Sequence, residues 1–234
     1  MTKSWKTSKS TVIYRLLAKR VNVYLVVHEK GAFLVDSGMN RTHQKLIARI
    51  GNILPDQNPV DYILLTHAHF DHCQAAKALS ESLKARLVIQ SSEAYNLMSG
   101  YTPLPSATMF LSKVVLSLGK TVAPGIARFA PAEPDILINE EGRLFNCSNL
   151  KIIHTPGHTS GSVSLIVDEE IALVGDTLFG IFPGRAMPPF ADNVEELFQS
   201  WALLLDTPCH TFLPGHGRPV SRKTLEKEYF RRSI

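Results

Sequence analysis

The stretch THAHFDH at residues 66–72 places four potential metal ligands within six positions, directly after the short apolar run DYILLT. In extended backbone, residues two apart point to the same side, so His67 and His69 can hold one ion together. Asp71 and His72 lie in the following turn and can serve a second ion. The pattern predicts a metal site at the end of a buried strand.

Three further candidate ligands lie where other strands should end: His158 in TPGHTSG, Asp176 in VGDTLFG and His216 in LPGHGRP. Each lies beside glycine, so the chain can turn sharply and present a side chain at the sheet edge. Seven ligands exceed the three that one catalytic zinc ion normally takes, so we predict a pair of ions. Imidazole and carboxylate ligands suit zinc first, and also manganese or iron.

The elements needed to position these residues are legible in the hydrophobic pattern. VNVYLVV and GAFLVD predict a β-hairpin, and THQKLIARI, QAAKALSESLK and NVEELFQSWALLLD predict helices. DYILLT, RLVIQ, LKIIHT, SVSLIVD, EIALVGD and HTFLPG predict strands, and a charged helix should follow the last of them. The expected fold class is therefore α/β, a four-layer αββα sandwich of two mixed sheets with outer helices.

We predict a single domain over residues 1–234 with a helical insertion at about 92–135. The insertion is rich in Pro, Met, Phe and Ser and contains the amphipathic run SATMFLSKVVLSL. One interpretation makes it a lid or a wall of the substrate pocket. The alternative makes it a surface helix or a homodimer contact.

Composition narrows the functional classes. Hydrophobic residues make up 44% and charged residues 20% of the chain, which is typical of a globular protein. The start lacks the apolar region of a secretory signal, and Cys73, Cys147 and Cys209 do not form a disulfide pattern, so we expect a cytoplasmic location. No apolar run is long enough to cross a membrane. A net charge of +4 slightly favours an anionic small-molecule substrate and does not require nucleic acid.

The ordered ligand set resembles the metallo-β-lactamase superfamily, whose members carry H-x-H-x-D-H, then a separate His, a bridging Asp and a final His. The resemblance runs from the first hairpin through His216. It implies that one ion is held by His67, His69 and His158, that the other is held by Asp71, His72 and His216, and that Asp176 bridges them. Asp36 in VDSG matches an early aspartate of the family that orients a ligand.

The resemblance implies a hydrolase in which a hydroxide between two ions attacks a carbonyl carbon. Asp71 and Asp176 would take part in catalysis as ligands, with no Ser or Cys nucleophile. The substrate expected is a small-molecule ester, thioester, lactone or amide. GDTLFG followed by Gly184-Arg185 looks like small glyoxalase II-like members, in which Arg185 would contact an anionic group of the substrate.

Three departures from related subgroups bear on the substrate. Only 18 residues follow His216, too few for the helical domain with which glyoxalase II holds glutathione. Cys73-Gln74-Ala75 replaces the glycines that usually follow the first motif. Phe179, predicted to lie beside the substrate, stands where acyl-homoserine lactonases carry tyrosine.

Other functions remain open at this point. A phosphodiesterase or ribonuclease could use the same ions, although no aromatic and basic interleaving favours nucleic acid. A persulfide dioxygenase-like enzyme with one iron shares most of these motifs. A non-catalytic metal-binding module is the third alternative, and the complete ligand set argues against it.

Overall fold

The computed structural model describes residues 2–54, 59–103, 105–108, 127–139, 142–143 and 147–232. The chain divides into two compact units, the first formed by Met1–Thr102 with Arg128–Asn139 and the second by Pro103–Ala127 with Glu140–Ile234. Most of the amphipathic run SATMFLSKVVLSL lies outside the described residues, so its predicted role is not addressed. The single-domain assignment likewise stays a prediction.

The first unit is built on a mixed sheet whose seven described strands lie side by side in chain order. Strands β1 to β4 pair antiparallel, and β4 to β7 pair parallel. The strands are β1 (Lys3–Lys6), β2 (Val12–Leu17), β3 (Val23–His28), β4 (Gly31–Val35), β5 (Val60–Leu64), β6 (Arg86–Gln90) and β7 (Ile136–Ile138). The carboxyl ends of β4, β5 and β6 therefore meet at one edge of this sheet.

The helices of the first unit are α1 (His43–Ile53), α2 (Phe70–Cys73), α3 (Ala76–Leu83) and α4 (Ala94–Ser99). Helix α1 buries Leu46 and Ile50, which are four residues apart and so lie on one face. Helix α3 buries Ala76 and Leu79, which are three residues apart and also lie on one face. These two helix faces and the strand residues form one apolar core, because the side of each element that faces away from water is apolar.

The second unit contains a mixed sheet with the order β13-β12-β11-β10-β9-β8 among the described residues. Strands β11 and β12 run parallel, and the other pairs run antiparallel. The strands are β8 (Gly142–Arg143), β9 (Leu150–His154), β10 (Val163–Val167), β11 (Ile171–Gly180), β12 (Thr211–Gly217) and β13 (Val220–Ser221). Helices α5 (Val194–Asp206) and α6 (Arg222–Arg232) contribute to its core, which includes Trp201 and Phe212.

The expected fold class, α/β with two mixed sheets and helices on the outside, is confirmed. The predicted hairpin is β3–β4, and the run RLVIQ is strand β6. The sequence did not predict β1 and β2, because basic residues interrupt their apolar alternation. Within the described part of the chain, no helix is long and apolar enough to cross a membrane.

We predict that Trp201→Phe lowers the free energy of unfolding by about 1–3 kcal/mol, the usual effect of leaving a buried polar group without its partner. The buried indole Nε1–H donates to the carbonyl of Thr177 at 2.8 Å, on the strand that carries a candidate ligand. Urea unfolding followed by far-UV circular dichroism measures the change. Trp5→Phe is the matched control, since Trp5 is half-buried and makes an edge contact with Tyr24. An equal effect of both substitutions would contradict the importance of the Trp201 hydrogen bond.

Candidate metal centre

The first unit gathers the residues of THAHFDH in the loop after β5 and in the short helix α2. His67, His69 and His72 are buried, and Asp71 is half-buried. The ring centroid of His67 lies 4.6 Å from that of His69 and 4.2 Å from that of His72. Ligand atoms lie within 4.8 Å of each other in the pairs His67–His69, His67–His72 and Asp71–His72. Such crowding of nitrogen and oxygen donors away from water suits metal coordination.

Asp36, at the end of β4, organises these ligands. Its carboxylate is 1% exposed and lies 2.8 Å from Nδ1 of His72, and its Oδ1 accepts hydrogen bonds of 2.9 Å from both N and Oγ1 of Thr66. Its backbone is left-handed, with φ of 63°, a conformation that Asp tolerates better than most residues. The contact with His72 is the one that an orienting aspartate requires.

These hydrogen bonds determine which imidazole nitrogen can face a metal. A carboxylate only accepts, so Nδ1–H of His72 donates to Asp36 and Nε2 carries the lone pair. The hydroxyl of Thr66 donates to the same carboxylate, so at 3.1 Å it accepts from Nδ1–H of His67. Asp36 thus fixes the tautomers of two histidines, one directly and one through Thr66.

Glu93 is a buried carboxylate beside the candidate ligands that the sequence analysis missed. It follows β6 and is 1% exposed, and its Oε2 accepts a hydrogen bond of 3.1 Å from the backbone N–H of Ala68. Ala68 lies between His67 and His69, so this carboxylate anchors the backbone that carries both rings. Its position just after a buried parallel strand was the signal that could have identified it.

Cys73 is a buried hydrogen-bond donor beside these ligands. Its Sγ donates to the carbonyl of Ala68 at 3.3 Å. Burial, followed by the negative charges of Asp71, Asp36 and Glu93, raises the pKa of the Cys73 thiol well above its usual value. The thiol is therefore protonated at ordinary pH. The candidate metal ligands are thus imidazole nitrogens and carboxylate oxygens, without a thiolate.

The second unit gathers His158, Asp176 and His216. Asp176 lies on β11, the β9–β10 loop carries His158, and His216 lies on β12. Oδ2 of Asp176 is 3.5 Å from Nε2 of His158 and 3.4 Å from Nε2 of His216. Nδ1–H of His158 donates to the carbonyl of Phe190 at 2.9 Å, so its Nε2 also carries the lone pair.

These spacings fit metal ions at the carboxylate. Two ligands on one tetrahedral zinc ion, each about 2.1 Å from it, lie about 3.4 Å apart. Oδ2 of Asp176 lies at this spacing from two imidazoles, and the residue is 5% exposed. The arrangement fits a carboxylate that serves as a metal ligand together with these imidazoles.

Close backbone approaches explain two glycines of these motifs. Gly157, which precedes His158, has φ of 119°, and a Cβ there would lie 2.2 Å from the backbone nitrogen of Leu197 in α5. Gly217, which follows His216, has φ of 85°, and a Cβ there would lie 2.3 Å from the backbone of Gly180. Both sites require glycine, which has no Cβ and readily adopts positive φ.

The two predicted substrate-binding residues have other contacts within the second unit. The Phe179 ring stacks on His216 with centroids 4.8 Å apart, so it restrains the orientation of that ligand. Arg185 is half exposed, and its guanidinium lies 3.4 Å from the buried carboxylate of Glu228 in α6. Arg231 shares this carboxylate at 2.8 Å. A role for either residue in substrate binding remains a prediction.

Comparison with protein families places these motifs in a known context. A family model described as Metallo-beta-lactamase superfamily matches residues 17–216, which include the seven candidate ligands and Asp36. A probable metallo-hydrolase of Streptococcus pyogenes is 30% identical over 200 residues, covering 84% of this chain and 78% of that protein. A beta-lactamase-like protein 2 homolog of Drosophila melanogaster is 26% identical over 212 residues, covering 89% of this chain. The alignment spans 62% of the Drosophila protein.

Solved structures share the fold. The BLEG-1 B3 metallo-beta-lactamase aligns with a TM-score of 0.67 at 22% identity, covering 97% of each chain. The di-iron-bound form of TTHA1623 aligns with a TM-score of 0.64 at 24% identity, covering 97% of this chain and 98% of that one. At these identities the likeness establishes the fold and leaves the reaction to be argued from the residues.

We predict that Asp36→Asn weakens metal binding by about 10- to 100-fold, the usual effect of removing a group that orients a metal-binding histidine. Asn keeps the left-handed backbone but cannot accept from His72 and Thr66 with two charged oxygens. Thr66→Val should give a smaller loss, because it disconnects His67 alone. Competition with a chromophoric zinc chelator measures both affinities.

The control for these variants is Glu81→Gln, which removes an exposed carboxylate from α3 of the same unit. Zinc affinity should be unchanged in this control. An unchanged affinity in Asp36→Asn would contradict the orienting role of Asp36.

Proposed function

Because the chain belongs to the metallo-β-lactamase superfamily, we propose that it is a binuclear metal-dependent hydrolase that cleaves a carbonyl ester, thioester, lactone or amide bond of a small molecule. The observation that carries the proposal is the position of Oδ2 of Asp176, at 3.5 and 3.4 Å from Nε2 of His158 and His216. This spacing is the one expected of ligands that share a metal ion, and two ions are proposed because seven candidate ligands exceed the three that one catalytic ion takes.

The family pattern assigns the ligands of the two ions. One ion takes His67, His69 and His158, the other takes Asp71, His72 and His216, and Asp176 is shared. Bound there, divalent ions would supply an acidified water at neutral pH and an electrophilic partner for the substrate carbonyl oxygen. Two zinc ions are the cofactors we propose, with manganese or iron as the alternatives, and the TTHA1623 structure that shares this fold is of a di-iron-bound form.

The protein itself contributes orientation and a dry environment. Asp36 holds His72 directly and His67 through Thr66, so that both present Nε2. The carbonyl of Phe190 does the same for His158. Since these ligands are preorganised and buried, binding of the ions costs little reordering of side chains.

The proposed substrate class is supported by two side chains of the second unit, one of which contacts His216. Phe179 stacks on this ligand, is 7% exposed and lacks the hydroxyl that tyrosine would offer, so its contribution to substrate binding would be packing and not a hydrogen bond. Arg185 is half exposed although it contacts Glu228, and this leaves part of its guanidinium accessible to an anionic group of a small molecule. These features support a small substrate with an acyl group and a negative charge.

We predict that Asp176→Asn lowers kcat/KM by at least about a hundredfold, comparable to the loss of one electrostatic group that stabilises the transition state. The amide is a weaker ligand than the carboxylate, so the bound metal per chain should also fall. Elemental analysis of the purified protein and turnover of thioesters, lactones, β-lactams and phosphodiesters measure the two effects.

Asp206→Asn is the matched control, because Asp206 is an exposed carboxylate at the end of α5 in the same unit. It should retain the metal content and the activity of the wild type. Turnover that survives unchanged in Asp176→Asn, or one iron per chain without hydrolysis in the wild type, would contradict the proposed function. Preferential turnover of phosphodiesters would agree with the proposed pair of ions but would contradict the proposed carbonyl substrate.

A further inference from the structure

A buried carboxylate joins two arginines in the second unit. Glu228 of α6 is 1% exposed, and its Oε1 lies 3.4 Å from a guanidinium nitrogen of Arg185 and 2.8 Å from one of Arg231. Because both guanidinium groups contact the same oxygen, they lie side by side. One carboxylate compensates only one of the two positive charges, so the three side chains together keep a surplus of one positive charge.

The position of Glu228 on its helix fixes both contacts. Leu225, three residues earlier, is also buried, so the two residues share the inner face of α6. A carboxylate that is removed from water is destabilising unless cations or donors surround it. Removal of one partner from a buried ion pair is therefore costly, and this cost restrains Arg185 and Arg231 at the carboxylate.

Both arginines also remain accessible from outside. The side chains of Arg185 and Arg231 are 51% and 44% exposed, whereas the carboxylate between them is buried. A guanidinium group carries five N–H donors, and the ion pair with Glu228 engages one nitrogen of each group. The outer donors of two adjacent guanidinium groups suit an oxyanion, which accepts several charge-assisted hydrogen bonds at once.

Backbone contacts place Arg185 beside the candidate ligand His216. Ala186, the next residue along the chain, accepts a hydrogen bond of 2.8 Å from the backbone N–H of Phe179. The Phe179 ring stacks on the imidazole of His216. A group of the substrate bound at Arg185 would therefore lie close to this part of the candidate metal centre.

A tight turn fixes the backbone at Arg185. Its N–H donates to the carbonyl of Phe182 at 3.1 Å. The residues between them are Pro183 and Gly184, and Gly184 has φ of 70°, as expected of a type II turn. Ile181 and Phe182 are exposed on this segment. The segment thus presents apolar surface and a basic group together, which suits an acyl chain that carries a negative charge.

We propose that Arg185 and Arg231 together bind a carboxylate group of the substrate, and that Glu228 is the positioning residue that holds the two guanidinium groups side by side. A carboxylate matches the single surplus charge, whereas a phosphate monoester carries more than one negative charge at neutral pH. The inference rests on the proposed hydrolase function and adds a specificity to it. Acyl substrates that carry a carboxylate are preferred to neutral ones.

Chemical modification of arginine tests the carboxylate site on the protein as purified, independently of turnover. Phenylglyoxal reacts with accessible guanidinium groups, and peptide mass spectrometry measures the rate at each arginine. Succinate should slow the modification of Arg185 and Arg231 by about threefold or more, relative to sodium chloride of equal ionic strength, when it occupies most of the sites. Arg232, an exposed arginine beside Arg231 in α6, should react at the same rate in both salts.

Steady-state kinetics test the use of the site in substrate selection. S-succinyl and S-valeryl N-acetylcysteamine are thioesters of similar size, and only the first carries a carboxylate. Arg231→Met should lower the ratio of kcat/KM for the succinyl over the valeryl thioester by about tenfold or more, the effect of losing a hydrogen bond to a charged group. Arg232→Met is the matched control, and its ratio should stay within about twofold of the wild type.

Glu228→Gln separates positioning from simple attraction. Glutamine keeps the shape of the side chain, but without the negative charge the two guanidinium groups repel each other. KM for the succinyl thioester should rise by about threefold or more, and this rise should exceed the change in kcat. An effect of net charge alone would lower KM, because the variant is more positive. Arg231→Met changes an exposed side chain, so it decides the question where Glu228→Gln does not fold.

Four results would overturn the proposal. They are equal modification rates of Arg185 and Arg231 in succinate and in chloride, protection by phosphate but not by succinate, equal effects of Arg231→Met and Arg232→Met, and a lower KM in Glu228→Gln. Protection by succinate without turnover of either thioester would support the carboxylate site and contradict the proposed thioester hydrolysis. Failure of this inference and failure of the proposed function are therefore distinguishable.

Discussion

The buried carboxylate of Asp36 is the constraint on which the first half of the candidate metal centre depends. A charge removed from water is stable only when donors surround it, and here His72 and Thr66 provide them. Because a carboxylate accepts and never donates, each donor must turn a proton towards it. The same requirement that stabilises Asp36 therefore leaves the lone pairs of His72 and His67 on Nε2. The same hydrogen bonds therefore stabilise the buried carboxylate and orient the two imidazoles for metal binding.

The surroundings of the Asp176 carboxylate, in the second unit, differ from those of Asp36. It lies on β11, which is buried along its whole length, yet its Oδ2 faces two imidazole Nε2 atoms at distances longer than strong charge-assisted hydrogen bonds. His158 already uses its Nδ1 proton on the carbonyl of Phe190, so its Nε2 is an acceptor facing another acceptor. A cation between the two groups resolves this conflict. The geometry is therefore more informative about metal binding than the mere number of polar residues.

The sequence was most informative where chemistry requires a particular residue at a fixed spacing. Ligands in the loop after β5 and on β11 could be predicted because the buried apolar runs are recognisable and His and Asp residues follow them closely, although β11 continues to Gly180 beyond Asp176. Glu93 could not, since a single carboxylate in the sequence QSSE looks like an ordinary surface residue. Its role depends on burial and on a hydrogen bond to Ala68, and both arise from tertiary packing. Strands β1 and β2 were missed for a related reason, because their basic residues belong to a cavity that only the folded chain forms.

The charge of this protein illustrates the same limit. Net charge is a sum and carries no information about position, so +4 predicts only a mild preference for anions. Folding brings Lys3 opposite Arg15 and aligns Lys45 with Arg49, although the sequence disperses these residues over almost fifty positions. Arg49 donates to the carbonyl of Leu16, and the ammonium of Lys3 lies over the Trp5 ring, so the fold itself uses part of this charge. The contacts of these residues therefore follow from their positions in the fold and not from the net charge of the chain.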